Sequence, residues 1–268
     1  MLGAIIGDIV GSPYEFSYNR MNMSGIPFWN RDCRFTDDTV MTLAVADALM
    51  RSIDEGSDFR QEAVKSMRRF ALRYPAAGYG GRFSMWVVED DPQPYGSWGN
   101  GSAMRVSSVG WAFESLEETE RMAAASADVT HNHPEGIKGA QATAAAIFLA
   151  RTGGTKERIK AYIEERFGYD LGFTIEQIRP EYSYDVSCQG SVPQSIVAFL
   201  EAQDYEQTVK LAISLGGDTD TMACIGGSIA EAFWGVPEEI ALEGRRHLDP
   251  FLNGVLDRWS EWLARRSA

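Results

Sequence analysis

Cysteine is scarce in this sequence, with three residues among 268. Cys33, Cys188 and Cys224 are widely separated and form no C-x-x-C pair. This spacing argues against a disulfide framework and favours a reducing compartment. We therefore expect a cytoplasmic protein.

Long apolar runs and a surplus of basic residues are also missing. No stretch approaches the ~18 consecutive apolar residues of a membrane-spanning helix, and the N-terminus lacks the basic region of a signal peptide. The 25 Lys and Arg residues are outnumbered by 38 Asp and Glu residues, which gives a formal net charge of −13. This balance argues against bulk nucleic-acid binding, because no basic face is available to neutralise phosphates. A small phosphate-bearing ligand needs only a few local donors and stays compatible with this charge.

Strand-like alternation is nearly absent, whereas apolar residues recur with helical spacing along most of the chain. The 44% hydrophobic content suffices for a sizeable core, and no linker-like stretch divides the chain. We therefore predict an all-α fold in a single compact multi-helix domain spanning residues 1–268. The predicted helices cover 2–18, the first acidic motif to about 52, 58–73, 102 to about 114, 117–126, 135–151, 155–167, 191–202, 205–214, 219–234, 237–246 and 249–265. Residues 74–101 and 168–189 are predicted to be irregular.

Two acidic motifs, at 34–39 and 216–221, each precede an apolar helical pattern. They read Arg-Phe-Thr-Asp-Asp-Thr and Gly-Gly-Asp-Thr-Asp-Thr. One interpretation is two capped helices, since Thr and Asp accept hydrogen bonds from the first-turn N–H groups. One acid would suffice for a cap, and several carboxylates at one helix start repel each other. If the motifs meet, cations must lie between them, and hard cations such as Mg²⁺, Mn²⁺ or Ca²⁺ prefer these oxygen ligands. The motifs therefore predict a metal site, with one or two ions, that is assembled from distant segments.

Glycines recur every four residues in the first predicted helix, at Gly3, Gly7 and Gly11. Because glycine is unfavourable within helices, such a row indicates close backbone packing against another helix or a ligand. Pro13 then predicts a break or loop before Glu15.

Glycine-rich turns and a histidine pair are candidates for anion binding. The turns 78–81 and 95–101 allow backbone N–H groups to approach a ligand, and the second precedes a predicted helix. His131 and His133 stand before the Ala-rich helix 135–151. Three interpretations stay open for these histidines: metal ligation, phosphate binding, or capping of the helix by one of them.

The chain resembles the ADP-ribosylglycohydrolase family in six motifs that follow the family's order and span most of the sequence. They are Gly-Asp-Ile-Val-Gly-Ser-Pro-Tyr-Glu (7–15), Phe-Thr-Asp-Asp-Thr (35–39), Gly-Tyr-Gly-Gly (78–81), Gly-Asn-Gly-Ser-Ala-Met-Arg (99–105), Thr-His (130–131) and Gly-Gly-Asp-Thr-Asp-Thr (216–221).

The resemblance implies an all-helical fold around two divalent cations, Mg²⁺ or Mn²⁺. The implied metal ligands are Thr36, Asp37, Asp38, Asp218, Asp220 and Thr221. The implied catalytic carboxylates are Glu15, Asp37, Asp38 and Asp218, with Glu15 as a base or a gate. The residues implied to bind ADP-ribose are Gly80, Gly96, Ser97, Trp98, Asn100, Gly101 and His131. No role carries over onto His133.

The implied activity is hydrolysis of the glycosidic bond between ADP-ribose and an acceptor, on an ADP-ribosylated protein or another ADP-ribose conjugate. Two metals suit this chemistry because they can orient the ribose hydroxyls beside an attacking water. Some members carry an acid in the turn that reads Ser97-Trp98-Gly99 here, so an arginine, serine or non-protein acceptor stays open. The oligomeric state is also open.

Two other functions are compatible with the same residues. A two-metal site also suits a phosphohydrolase that attacks the diphosphate. A protein that binds ADP-ribose without cleaving it is the third hypothesis, although such a protein is expected to have lost some of the acidic residues present here.

Overall fold

The computed structural model describes residues 1–16 and 25–267, and fifteen α-helices lie within these ranges. The helices are α1 (Leu2–Gly11), α2 (Asp37–Glu55), α3 (Phe59–Arg73), α4 (Gly81–Val88), α5 (Gly101–Met104), α6 (Ser107–Ala112), α7 (Leu116–Asp128), α8 (Pro134–Arg151), α9 (Lys156–Phe167), α10 (Ile175–Ile178), α11 (Cys188–Glu201), α12 (Tyr205–Ser214), α13 (Thr219–Trp234), α14 (Glu238–Arg246) and α15 (Pro250–Ser267). The extended pairing in these ranges is one isolated antiparallel bridge between Gly99 and Ser187. The predicted all-α fold is confirmed. No described helix is long and apolar enough to cross a bilayer.

The glycine row of α1 packs directly on α13. A Cβ on Gly7 would lie 2.1 Å from the carbonyl oxygen of Ala223, and one on Gly11 would lie 2.6 Å from the Cα of Asp220. Neither position has room for a side chain, so the two backbones touch. The row therefore serves helix–helix contact, one of the two predicted alternatives, and it holds α1 against the first turns of α13, where the second acidic motif ends.

Helix α8 runs through the middle of the molecule and packs against α5, α6, α7, α9, α11 and α13. Its alanines, including Ala140, Ala144 and Ala145, are fully buried and let these neighbours approach closely. The helix begins beside the His131 segment, so the buried core supports that segment.

The structure corrects the predicted irregular stretch 74–101, which contains α4. Phe83, Trp86 and Val87 are the buried residues of this helix and have the spacing of one helical face. This apolar face covers only about two helical turns, and the chain on either side is rich in glycine and aromatic residues. The helical periodicity was therefore not recognised in the sequence.

Several predicted boundaries were also wrong. Helix α1 ends at Gly11, and a 3-10 turn, Ser12–Tyr14, follows because Pro13 offers no N–H. Predicted residues 17 and 18 lie outside the described ranges. The single helix predicted from 102 to about 114 is two short helices, α5 and α6. The irregular stretch 168–189 contains the four-residue α10 and the start of α11.

Candidate active site

The two acidic motifs meet at one cavity of about 480 Å³. Five predicted carboxylate residues line it, and so do five of the residues predicted to bind ADP-ribose. The carboxylates are Glu15, Asp37, Asp38, Asp218 and Asp220; the others are Gly80, Ser97, Asn100, Gly101 and His131. Thr221, a predicted metal ligand, lines the cavity as well.

The first motif begins α2 with a threonine cap. Thr36 accepts a hydrogen bond from the Asp38 N–H at 3.3 Å, so the capping interpretation holds for this residue. Asp37 and Asp38 follow in the first turn, where the helix dipole favours negative charge. Thr221 donates to Asp38 Oδ2 at 3.2 Å and links the first motif to the second. Asp38 Oδ1 is buried and has no hydrogen-bond partner among the described residues.

Asp8 is a site residue that the sequence interpretation missed. Its carboxylate accepts four hydrogen bonds, from the N–H and hydroxyl groups of both Thr36 and Thr39. It is fully buried, and it holds the start of α2 against α1. The signal that could have revealed it is a charged residue within the apolar run from Ala4 to Val10.

The second motif begins α13 without a side-chain cap. Asp218 occupies the N-cap position but makes no capping bond. Its Oδ2 instead accepts a hydrogen bond of 2.6 Å from Asn100, whose amide also donates to Ser191 at 3.0 Å. The capping interpretation therefore fails for Asp218, because its carboxylate is oriented by Asn100 and lines the cavity.

Two carboxylate triads have the spacing of cation ligands. Asp8, Asp38 and Asp220 form one, and Glu15, Asp218 and Asp220 form the other; within each, ligand oxygens lie within 4.8 Å of one another. Asp220 belongs to both. Among the described residues, none of these carboxylates is in an ion pair. An all-oxygen donor set with an unpartnered buried Asp38 oxygen fits hard divalent cations.

Burial and mutual repulsion disfavour the charged forms of these carboxylates. Burial, followed by the charge of Asp8, raises the pKa of Asp37 to about 8. Burial, followed by the charge of Asp218, raises the pKa of Glu15 to about 7. The pKa values of Asp38 and Asp220 are raised well above the usual range, again chiefly by burial. The protein alone therefore does not stabilise a fully ionised cluster, whereas bound cations would.

Glu15 is half-buried and lines the cavity, directly after the 3-10 turn. The next residue, Phe16, has φ of 60°, a left-handed conformation that is uncommon outside glycine. Its ring is exposed and stacks on Tyr184, with the centroids 5.2 Å apart. Tyr184 also lines the cavity and is another residue that the sequence interpretation missed.

The glycine-rich turn at 99–101 faces His131. The Asn100 N–H donates to the Val186 carbonyl at 2.8 Å and helps to hold the turn. A Cβ on Gly101 would lie 3.2 Å from His131 Nε2. Two arginines that the sequence interpretation did not assign, Arg82 and Arg105, line the same cavity. Hydrogen-bond donors and positive charge thus adjoin the carboxylate cluster.

Three predicted site residues do not line the cavity. Thr36 is buried beneath it, with its hydroxyl on Asp8. The Gly96 N–H donates to Asn132 Oδ1 at 2.7 Å. Trp98 is 53% exposed and packs edge-on against His133 with the centroids 5.7 Å apart.

The two histidines near α8 have different surroundings. His133 is the N-cap of α8 and accepts from the Glu135 N–H at 3.2 Å, so the capping interpretation fits it. His131 is buried and lines the cavity.

Comparison with known proteins gives concordant matches over nearly the whole chain. The ADP-ribosylglycohydrolase family model matches residues 1–267. ADP-ribosylhydrolase ARH3 of Homo sapiens is 27% identical, over 89% of this chain and 85% of that protein. ADP-ribosylarginine hydrolase Tri1 of Pseudomonas putida (strain GB-1) is 26% identical, over 96% of this chain and 77% of that protein. A solved ADP-ribosylglycohydrolase-related protein complex has a chain with a TM-score of 0.71 and 25% identity, over 100% of this chain and 97% of that one.

Proposed function

Because the chain belongs to the ADP-ribosylglycohydrolase family, we propose that it is a divalent-metal-dependent hydrolase of ADP-ribose conjugates. The reaction cleaves the N- or O-glycosidic bond between ADP-ribose and its acceptor and releases ADP-ribose. The observation that carries the proposal is the composition of the cavity. Carboxylates suited to cations and donors suited to a diphosphate lie together in a space of about 480 Å³, within the range typical of ligand pockets.

Two divalent cations, Mg²⁺ or Mn²⁺, fit the paired carboxylate triads. Asp8, Asp38 and Asp220 would hold one, and Glu15, Asp218 and Asp220 the other. Thr36, Asp37 and Thr221 remain predicted ligands from the family pattern. When bound, such cations supply Lewis-acid stabilisation to the ribose hydroxyls.

The chain's own side chains bind and orient the substrate in this proposal. The Gly101 N–H of the 99–101 turn and the His131 ring bind the diphosphate. Asn100 keeps Asp218 oriented toward the ribose through its 2.6 Å hydrogen bond. Gly80 and Ser97 line the same cavity and complete the substrate contacts.

Glu15 is proposed to accept the proton of the attacking water. The C–N or C–O bond at the anomeric carbon breaks, the water oxygen bonds to that carbon, and the acceptor leaves with a proton. Beside bound cations Glu15 would be ionised, and an ionised carboxylate can accept this proton.

Incubation of ADP-ribosylated protein with and without divalent cations tests the proposal. The expected product is intact ADP-ribose, formed with Mg²⁺ or Mn²⁺ and not with EDTA. AMP as the product would instead support the phosphohydrolase hypothesis. Asp218→Asn should lower turnover by roughly 100-fold or more, whereas Asp128→Asn, on a surface carboxylate paired with Arg60, should leave it unchanged. Full activity in EDTA, or in Asp218→Asn, would contradict the proposal.

The acceptor is tested separately with a panel of arginine-, serine- and nucleic-acid-linked ADP-ribose. The relative named for ADP-ribosylarginine hydrolysis makes the arginine conjugate the first to assay. Binding of ADP-ribose without turnover of any conjugate would support the third hypothesis, a non-catalytic binding protein.

A cytoplasmic location is proposed on the basis of the cysteines. Cys33, Cys188 and Cys224 are all free and buried, as expected in a reducing compartment. Localisation of a tagged full-length chain by microscopy or fractionation tests this, and recovery outside the cytoplasm would contradict it.

A further inference from the structure

Arg105 is a fully buried cation for which the described residues supply no acidic partner. Its Nη2 donates to the Ser126 carbonyl and to Thr130 Oγ1, both at 2.8 Å. Its Nε has no hydrogen-bond partner, and the side chain lines the cavity. Burial lowers its pKa to about 10, so it stays charged at neutral pH. A buried charge without a counterion is costly unless an anion approaches it.

Thr130 connects this arginine to His131. Its Oγ1 lies 2.7 Å from His131 Nδ1. Because a guanidinium can only donate, the bond from Arg105 uses a lone pair of the hydroxyl and leaves its proton free. Within the described residues, Nδ1 is the acceptor in reach of that proton. If Nδ1 carried the proton, the hydroxyl would accept two bonds and its own proton would have no acceptor among the described residues. The arrangement that satisfies all three groups leaves Nδ1 unprotonated and places the imidazole proton on Nε2.

The protonated nitrogen faces the glycine-rich turn. A Cβ would lie 3.2 Å from Nε2 if built on Gly101 and 3.6 Å if built on Gly99. Burial, followed by the charge of Arg105, holds the pKa of His131 well below its usual range. The neutral ring is therefore a hydrogen-bond donor with a fixed direction, and the positive charge of Arg105 is linked to it through Thr130.

We infer that Arg105 and Thr130 form a positioning relay that fixes His131 as an Nε2–H donor to one phosphate of the bound nucleoside diphosphate. The identity of that anion rests on the proposed function, whereas the tautomer does not. A surface lysine would supply both the positive charge and the hydrogen-bond donor, whereas the relay assigns these two roles to different residues. His131 supplies direction, and Arg105 supplies charge from the cavity wall.

Nitrogen NMR of ¹⁵N-histidine-labelled full-length protein tests the tautomer directly. The chain has three histidines, so a His131→Gln sample assigns the signals. We expect His131 to show a protonated Nε2 and an unprotonated Nδ1 at neutral pH. A protonated Nδ1 in the wild-type protein would overturn the inference, whatever the protein's activity.

Threonine variants test the effect on binding. Thr130→Val keeps the shape but removes the hydroxyl, and Thr130→Ser restores it. Thr143→Val makes the same change at a fully buried threonine on α8 that does not line the cavity. We expect Thr130→Val to lose the fixed tautomer and to bind ADP-ribose roughly 5- to 30-fold more weakly, the factor for a loss of about 1–2 kcal/mol. Thr130→Ser and Thr143→Val should stay within about threefold of wild type.

The outcomes separate the relay from the proposed function. Wild-type binding of ADP-ribose with unchanged affinity and tautomer in Thr130→Val would overturn the relay and leave the function standing. The expected tautomer without any ADP-ribose binding would contradict the proposed function and the assignment of the phosphate. Equal weakening in Thr130→Val, Thr130→Ser and Thr143→Val would show a general packing effect and overturn the relay.

Discussion

Removal of divalent cations should make the free energy of unfolding fall as the pH rises through neutrality. The cause is the carboxylate cluster, in which burial raises the pKa of Asp37 to about 8 from its ordinary value of 3.8. In this range the folded protein keeps a proton that the unfolded chain has already lost. Stability from such a group is fully present below the unfolded pKa and is lost as the pH rises through the folded pKa.

The magnitude follows from the number of protons retained. Each retained proton lowers the free energy of unfolding by about 1.4 kcal/mol per pH unit. Asp37 alone therefore predicts a loss of about 1.2 kcal/mol between about pH 6.5 and about pH 7.5, because part of its proton is already released at the upper end. Asp38 and Asp220, whose pKa values are also raised, increase the loss. The window begins near 6.5 because His131, whose pKa is lowered, makes stability fall with decreasing pH below that value.

Urea unfolding followed by tryptophan fluorescence measures this slope, in EDTA and in saturating Mg²⁺. The metal-free wild type should lose stability across the window. Asp37→Asn should lose about 1.2 kcal/mol less across this window, because it removes one titrating group. Mg²⁺ should flatten the wild-type slope, since the carboxylates are then ionised in both states. Stability that is constant or rises with pH in EDTA, or an equal pH dependence in EDTA and in Mg²⁺, would contradict the retention of carboxyl protons in the metal-free folded protein.

Three further substitutions probe the packing and the site. Gly7→Ala, whose Cβ would lie 2.1 Å from a backbone carbonyl oxygen of α13, should cost at least about 2 kcal/mol of stability in urea unfolding. The control Gly25→Ala, where the added Cβ meets open space, should cost under about 0.5 kcal/mol. Equal losses in the two variants would contradict the close packing of α1 on α13. Asp47→Ala removes a buried carboxylate that contacts three arginines and should cost about 1–3 kcal/mol of stability. Asp128→Ala breaks an exposed ion pair and should cost under about 1 kcal/mol. A larger loss in Asp128→Ala than in Asp47→Ala would contradict the greater stabilisation assigned to the buried carboxylate. Asn100→Ala should weaken Mn²⁺ binding by about 10–100-fold in calorimetric titration, and an unchanged affinity would show that its bond to the acidic cluster does not orient a ligand.

Most of the fold could be predicted from the sequence because long amphipathic helices are encoded locally. The predicted helices 205–214 and 219–234 match α12 and α13 residue for residue. Short helices were missed because they contain too few residues to show this local periodicity. Helix α4 has only three buried side chains, too few for periodicity to stand out against neighbouring glycines and aromatics.

The candidate site was only partly predictable, because its contacts join residues distant in sequence. The acidic motifs and the 99–101 turn were recognisable as local patterns and through the family resemblance. The role of Asp8 depends on threonines 28 and 31 positions away, and Asn100 meets Asp218 across 118 positions. Arg105 stood within a recognised motif, but its burial and its bond to Thr130 required the structure.

Anomalous diffraction from crystals soaked in Mn²⁺ tests most directly whether the two acidic motifs hold a pair of cations. We expect two peaks separated by about 3.5–4 Å, one among Asp8, Asp38 and Asp220 and one among Glu15, Asp218 and Asp220. No peak in the cavity at saturating Mn²⁺, or peaks only elsewhere on the protein, would contradict it.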